Sequence, residues 1–451
     1  MKTEKIKIKN HLSPRQLIIY SFIGLISVGT LLLMMPFSTA SGTGRSFFDA
    51  LFTATSASCV TGLVVQDTAT YWSVFGQVVI LILIQIGGMG VVTIALALTV
   101  ASGRKIGLGR RSTMREAISA PSVGGIVKMT EFILKGCFLI ESLGALCLSF
   151  VFIPEFGLLK GVGYSIFHSI SAFCNAGFDL MGTKGHFSSL TSYSGNVVVN
   201  LTAVALILVG GLGFFTWADL LHNKFSFKKY RMQTKVILFS TRFLIIVPFM
   251  YFFVFEFSGG IYRTESVKDR ILCSLFRAVT PRTAGFNTAD YAAMGEAGQM
   301  ITIVMMLIGG CPGSTAGGMK ITTPAVMLAV LFAVFDRRGD PVLFGRRVND
   351  DTVKHAATIF MMYITLFITA AIAICVAEGL PMMACLFETA SAIGTVGLSL
   401  GLTTVLSLFS RIILIILMFM GRVGGLTLVF AALRGALPTG SKYPLERITV
   451  G

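Results

Sequence analysis

Ser56-Ala-Ser-Cys-Val-Thr-Gly62 recurs without gaps as Ser171-Ala-Phe-Cys-Asn-Ala-Gly177, Val279-Thr-Pro-Arg-Thr-Ala-Gly285 and Ser391-Ala-Ile-Gly-Thr-Val-Gly397. An apolar residue follows each last glycine: Leu63, Phe178, Phe286 and Leu398. The copies stand about 110 residues apart, and self-similarity at a fixed period marks a fold built from repeated units. A short amphipathic run precedes each copy, at residues 47–55, 164–170, 271–278 and 382–390. Runs this short cannot cross a hydrocarbon core as a helix, which takes about 20 residues. They fit half-helices that enter a membrane and turn back.

Longer apolar stretches flank every run. Those before it are 17–37, 126–153, 236–257 and 356–377; those after it are 75–100, 197–221, 300–335 and 406–433. The unit is therefore span, half-helix, loop, span. Four copies predict an all-α membrane protein with eight transmembrane helices and four re-entrant half-helices around a pseudo-four-fold pore. Each unit crosses twice, so all four share one orientation, unlike the inverted repeats of many carriers. The divisions fall at 1–103 (N-terminal cytosolic segment and repeat 1), 104–223 (cytosolic loop and repeat 2), 224–336 (loop and repeat 3), 337–434 (loop and repeat 4) and 435–451 (cytosolic tail).

Composition demands a membrane. Of 451 residues, 54% are hydrophobic and only 13% charged, where a soluble domain carries about 25% charged residues. Mean hydropathy is +0.81. Residues 17–37 carry no charge and follow a basic start at 1–16. They read as a retained first helix, because a cleaved signal has a shorter apolar core of about 7–15 residues. The formal charge is +16, but the basic residues sit between apolar spans, which argues against nucleic acid as a partner. Most cluster at 2–15, 104–115, 224–242, 337–354 and 434–447. That asymmetry is the positive-inside pattern. It predicts a multi-pass protein of the cell membrane with both termini cytoplasmic, the basic loops against anionic headgroups or an acidic partner, and the glycine loops entering from outside. None of the eight cysteines forms a CxxC pair and the five histidines are scattered. Zinc and a disulfide framework are therefore disfavoured.

The loop chemistry points to an ion. Backbone at membrane depth must be hydrogen-bonded or face water or an ion. Carbonyl oxygens can replace a cation's hydration shell, and glycine's access to positive φ lets successive carbonyls turn to one axis. No Asp or Glu stands in the four segments, which favours monovalent over divalent cations. No nucleophile–base or metal-ligand cluster lies in the spans, so an enzyme is not expected.

A second repeat follows: Gly87-Gly-Met-Gly90, Gly210-Gly-Leu-Gly213, Gly309-Gly-Cys-Pro312 and Gly421-Arg-Val-Gly424. Such glycines let membrane helices approach closely, the reading for units 1 and 2. In unit 3 the run grows through Gly309, Gly310, Cys311, Pro312, Gly313, Ser314, Thr315, Ala316, Gly317 and Gly318. Glycine and proline disfavour helix there by about 1 and 3 kcal/mol each, which predicts an unwound intramembrane loop able to gate the pore. In unit 4, Arg422 stands where the others have glycine. A mid-span arginine marks a function or a buried partner: a positive barrier on the ion path, or a salt bridge with Glu141 or Glu131.

These residues resemble the Trk/Ktr/HKT superfamily of potassium transporters, and within it the membrane subunits of Ktr type, over essentially the whole chain. Residues 57–63, Asn175-Ala-Gly-Phe178, Thr280-Pro-Arg-Thr-Ala-Gly-Phe-Asn287, Gly394-Thr-Val-Gly-Leu398 and Gly421-Arg-Val-Gly424 carry the likeness. It implies K⁺ uptake through filter carbonyls at Val60, Thr61, Gly62, Asn175, Ala176, Gly177, Thr283, Ala284, Gly285, Thr395, Val396 and Gly397. It implies a homodimer on a ring of cytosolic RCK-type nucleotide-binding regulatory subunits, with Na⁺ as an activator and no covalently bound cofactor. The chain itself carries no nucleotide fingerprint; its basic loops 104–115 and 337–347 are candidate docking surfaces or topology determinants. Gly62 favours potassium, since some sodium-preferring plant members carry serine there. Cys311 and Pro312 depart from the small residues usual in the loop, and Pro312 should stiffen it. The alternative is a cation-coupled carrier for an organic solute, which would need a polar midplane pocket.

Overall fold

The computed structural model describes residues 13–42, 46–91, 93, 126–224, 226–256, 266–337, 339–425 and 427. The basic start 1–12, the segment 104–115, the tail 435–451 and the far ends of the spans expected at 75–100 and 406–433 lie outside the described residues.

Among the described residues, four helices are long and apolar enough to cross a membrane: Pro14–Leu33, Val127–Phe156, Met232–Glu256 and Asp350–Glu378. Each leads one unit. Only 22–33% of their apolar windows is buried, and Leu143, Phe150 and Val376 stand exposed on them. The half-helices are the reverse. They span Phe47–Ser58, Leu158–Phe173, Val267–Val279 and Met382–Gly394, and they bury hydroxyls such as Thr53, Thr55, Ser56, Ser169, Ser171, Ser274 and Ser391. Polar groups inside and contiguous apolar surface outside suit a chain solvated by lipid.

At 12 to 16 residues, the half-helices remain too short to cross, although each is longer than its amphipathic run. The second starts well before residue 164, because the chain reverses at Gly157 (φ 79°) directly after the leading helix. Serine caps start two of them: Ser46 accepts from Phe48 N and Ser266 from Asp269 N, satisfying donors that a helix start leaves free.

The following helices correct the expectation of continuous spans. They are Val74–Met89, Val197–Gly211, Glu296–Ile308 and Leu408–Val423. A break was expected only in unit 3, where the chain leaves the helix at Gly309 (φ 67°) and re-enters one at Thr322–Phe335. Units 1, 2 and 4 break too, at Gly90, Gly213 and Gly424 (φ 86°, 91° and 89°). A positive φ cannot continue the i to i−4 ladder. In unit 2 the helix resumes as Phe214–His222 at 93° to its predecessor. Close approach, the other reading, holds for the first glycine of the motif in units 1, 2 and 4. A Cβ on Gly87, Gly210 or Gly421 would collide with the carbonyl oxygen of Ser58, Phe173 or Ile393, in the last turn of the same unit's half-helix.

Between units, Arg411 Nη1 pairs with Asp49 Oδ1 at 3.1 Å, fastening the last following helix to the first half-helix. The strands Val342–Leu343 and Arg346–Arg347 pair as a small antiparallel hairpin. The ring of Phe344 at its turn meets those of Phe227 and Phe239 edge-on.

Candidate functional site

The four glycine segments converge in one ring. A Cβ on Gly62 would lie 2.5 Å from the Ala176 carbonyl oxygen, and one on Gly177 would lie 2.8 Å from that of Ala284. Gly285 abuts the Val396 oxygen in the same way, and Gly397 abuts the Thr61 oxygen. The contacts run from unit 1 to 2, 3, 4 and back to 1, so the ring closes in chain order. All four glycines have positive φ, between 69° and 92°. So do the residues two places before them: Val60 (57°), Asn175 (58°), Thr283 (72°) and Thr395 (52°). Left-handed residues are uncommon outside glycine. Their recurrence at one position of four unlike segments marks a backbone path that the site requires.

Hydroxyls hold that path, a role the sequence motif did not reveal. Ser56 Oγ accepts from Gly62 N (3.1 Å), and Ser391 Oγ accepts from Gly397 N (3.0 Å). Ser171 Oγ donates to Phe178 O (2.7 Å), and Thr280 Oγ1 donates to Phe286 O (2.5 Å). Each bond ties the last turn of a half-helix to the far end of its loop. The first serine of the motif is therefore a staple, and unit 3 supplies its hydroxyl one residue later.

Two cavities flank the ring. One, of about 310 Å³, is lined by Gly62, Gly177, Gly285 and Gly397 together with Asp67, Asp179 and Asp290. These carboxylates were not singled out from the sequence, because they stand outside the motif. Asp67 is a structural cap: it accepts from Ala69 N and Thr70 N, and from Phe187 N of the next unit. Asp179 accepts from Met181 N at 2.9 Å. Burial pushes its carboxyl up to about 7.

The other cavity, of about 340 Å³, is lined by Gly88, Gly90, Ser314, Ala316, Gly318, Lys320 and Arg422. The segment from Gly309 to Gly318 is unwound, and backbone bonds with the breaks of units 2 and 4 fix it. Cys311 N and Thr315 N donate to Gly211 O and Gly210 O, Phe214 N donates to Gly313 O, and Gly318 N donates to Gly421 O. Pro312 takes part through its carbonyl, which sits where a Cβ on Gly213 would fall. Gly317 and Gly318 pack against Thr395 and Gly394, at the inner end of the fourth glycine segment. Lys320 Nζ donates back to Ala316 O and Gly317 O.

Arg422 does not form either proposed salt bridge. It donates to Thr315 O in the loop, and to Gly87 O and Gly88 O in unit 1. Glu131 pairs with Lys135, and Glu141 accepts from Gln85. Carbonyls left over at a helix break are good acceptors for a guanidinium, and these lie nearer than any carboxylate.

A carbonyl ring between two cavities, inside a helical fold with a lipid-facing surface, defines a multi-pass membrane protein of the cation-transporting class. The chain belongs to the TrkH family of cation transport proteins, whose family model matches residues 2–440. It is 41% identical to the potassium/sodium uptake protein NtpJ of Enterococcus hirae, over 99% of this chain and 99% of that protein. It is 39% identical to the Ktr system potassium uptake protein B of Bacillus subtilis, over 93% of each. With protein D of the same system and organism the identity is 30% over 99% of each. The crystal structure of the potassium transporter TrkH from Vibrio parahaemolyticus shares the fold, with a TM-score of 0.71 at 20% identity over 96% of this chain and 87% of that one. These relatives are uptake proteins rather than enzymes.

Proposed function

We propose that the chain takes up potassium across the cytoplasmic membrane through the glycine ring. The observation that carries this reading is the closed contact Gly62–Gly177–Gly285–Gly397, which sets the carbonyls of Thr61, Ala176, Ala284 and Val396 each against the glycine of a neighbouring unit. Backbone oxygens without carboxylates at the ring suit a large, weakly hydrated monovalent ion. The aspartates of the outer cavity, Asp179 once ionised, raise the local cation concentration without binding in the ring. The segment from Gly309 to Gly318 acts as the gate and Arg422 as an inner electrostatic barrier, which fits the bonds that draw both under the ring.

The four units follow the divisions 1–103, 104–223, 224–336 and 337–434, with a tail at 435–451, both termini in the cytoplasm and the ring's outer cavity facing out. By analogy with the Ktr systems to which relatives belong, the functional form is a homodimer on a cytosolic ring of nucleotide-binding regulatory subunits. The basic hairpin at 342–347 is a surface where such a ring could dock. External Na⁺ stimulates uptake in this reading.

The deciding experiment is K⁺ uptake by a transport-deficient cell expressing the chain, with and without Na⁺. Saturable K⁺ uptake supports the proposal. Symport of an organic solute without K⁺ flux overturns it in favour of a carrier.

A further inference from the structure

Two side chains of the glycine segments reach the loop beneath the ring: Arg282 Nη2 of unit 3 donates to Cys311 Sγ at 3.8 Å, and Asn175 of unit 2 makes the shorter bond. Asn175 Nδ2 donates to Thr315 Oγ1 at 3.0 Å, and Thr315 Oγ1 donates in turn to Phe173 O at 3.0 Å. Both partners of Thr315 belong to the second glycine segment or its half-helix, 140 residues and more away in sequence. The rest of Thr315 is also engaged: its N–H goes to Gly210 O and its carbonyl accepts from Arg422. The three counterparts of Asn175 make no such link. Val60 has no polar side-chain atom, and Thr283 Oγ1 and Thr395 Oγ1 are buried without a hydrogen-bond partner. Among the described residues, side chains of the glycine segments are thus hydrogen-bonded to the loop at two corners, those of units 2 and 3, and at the left-handed position two places before the glycine only Asn175 makes such a bond.

We infer that Asn175 is a positioning residue which couples the shape of the ring to the position of the loop. This inference rests on the reading of the ring as a filter and the loop as its gate. When the loop withdraws, Thr315 leaves, and the Asn175 amide and the Phe173 carbonyl lose their partner at membrane depth, where an unmet polar group is costly. The second corner of the ring then relaxes. An open gate is therefore a less selective filter, and by linkage an ion that tightens the second corner favours the closed loop.

The test uses the full-length protein in liposomes, measuring Rb⁺ and Na⁺ flux in parallel. Thr315→Val lies in the loop and carries none of the ring's carbonyls. It is expected to raise total flux and also to lower the Rb⁺ to Na⁺ ratio by about two- to tenfold, the worth of one neutral hydrogen bond. Thr315→Ser keeps the hydroxyl and should retain the wild-type ratio. Asn175→Asp keeps the size but not the donor, and should lower the ratio with no further loss when combined with Thr315→Val. An unchanged ratio in Thr315→Val, whatever its flux, overturns the coupling, as do losses that simply multiply in the double variant. Should Thr315→Val fail to assemble, Thr315→Ala gives the same comparison. Wild-type protein that passes no cation would instead remove the filter reading, and the coupling with it.

Discussion

At the ring, four segments of different sequence adopt one backbone: left-handed at Val60, Asn175, Thr283 and Thr395, left-handed again at the glycines, each glycine against its neighbour's carbonyl. Beneath it, the four glycine motifs that end the following helices diverge. Unit 1 merely turns at Gly90, unit 2 bends by 93°, unit 3 leaves the helix for the thirteen residues 309–321 and unit 4 carries Arg422. On the proposed reading, an ion stripped of water needs equivalent ligands on all sides, which would hold the ring to near-symmetry. A gate of the kind proposed needs only one element able to move, which would leave the floor free to differ.

The largest expected effect comes from breaking the symmetry of the ring. Gly62→Ser forces a side chain onto a backbone at φ 92° that faces the Ala176 oxygen, at a cost of about 1–2 kcal/mol for the left-handed conformation alone. Preference for K⁺ over Na⁺ should fall by about tenfold, one ligand corner of four being displaced. Competitive uptake assays measure this, and an unchanged preference would argue that the ring is not the filter. Deleting residues 311–316 tests the floor. Flux per molecule should rise several-fold while the protein still assembles, and a fall at normal expression would count against a gate.

Arg422→Ala should have a smaller effect in the same direction, since it frees Thr315, Gly87 and Gly88 carbonyls from one guanidinium. Arg422→Lys retains the charge but cannot span units 1 and 3 together. A rise in flux with alanine alone assigns the residue to an electrostatic barrier, and equal rises assign it to the tie.

The smallest expected effect is on pH. Burial raises the Asp179 carboxyl to about 7, so it is neutral in more acid medium and becomes charged as external pH rises from 6 to 8. The outer cavity then gains a negative charge, and the apparent KM for K⁺ should fall across that interval, with Asp179→Asn abolishing the change. The sign for stability is opposite. A carboxyl whose folded value is raised favours the folded state most at low pH, and that contribution is lost as pH climbs to about 7.

Much of the architecture was legible in the sequence. The glycine segments align without gaps because every corner of the ring obeys the same constraint, and the leading helices show as long apolar runs, those at 17–37 and 356–377 without a charge. The breaks in units 1, 2 and 4 were hidden, because a glycine in an apolar helix signals close packing and interruption equally well. Gly87 does the first and Gly90 the second, three residues apart. The outer aspartates share no common offset: Asp67 and Asp290 lie five residues past their glycines and Asp179 only two. The link from Asn175 to Thr315 belongs to tertiary structure alone, and no spacing rule reaches across it.

The closing contact between Gly397 and the Thr61 oxygen makes one chain complete its own ring. A ring of four identical subunits changes all its corners with every substitution, so a mutation there tends to be tolerated everywhere or nowhere. Here each corner has its own codons. With the ring as the proposed filter, ion preference can be adjusted in quarter steps, one corner drifting toward a new ion while three keep the old one in place.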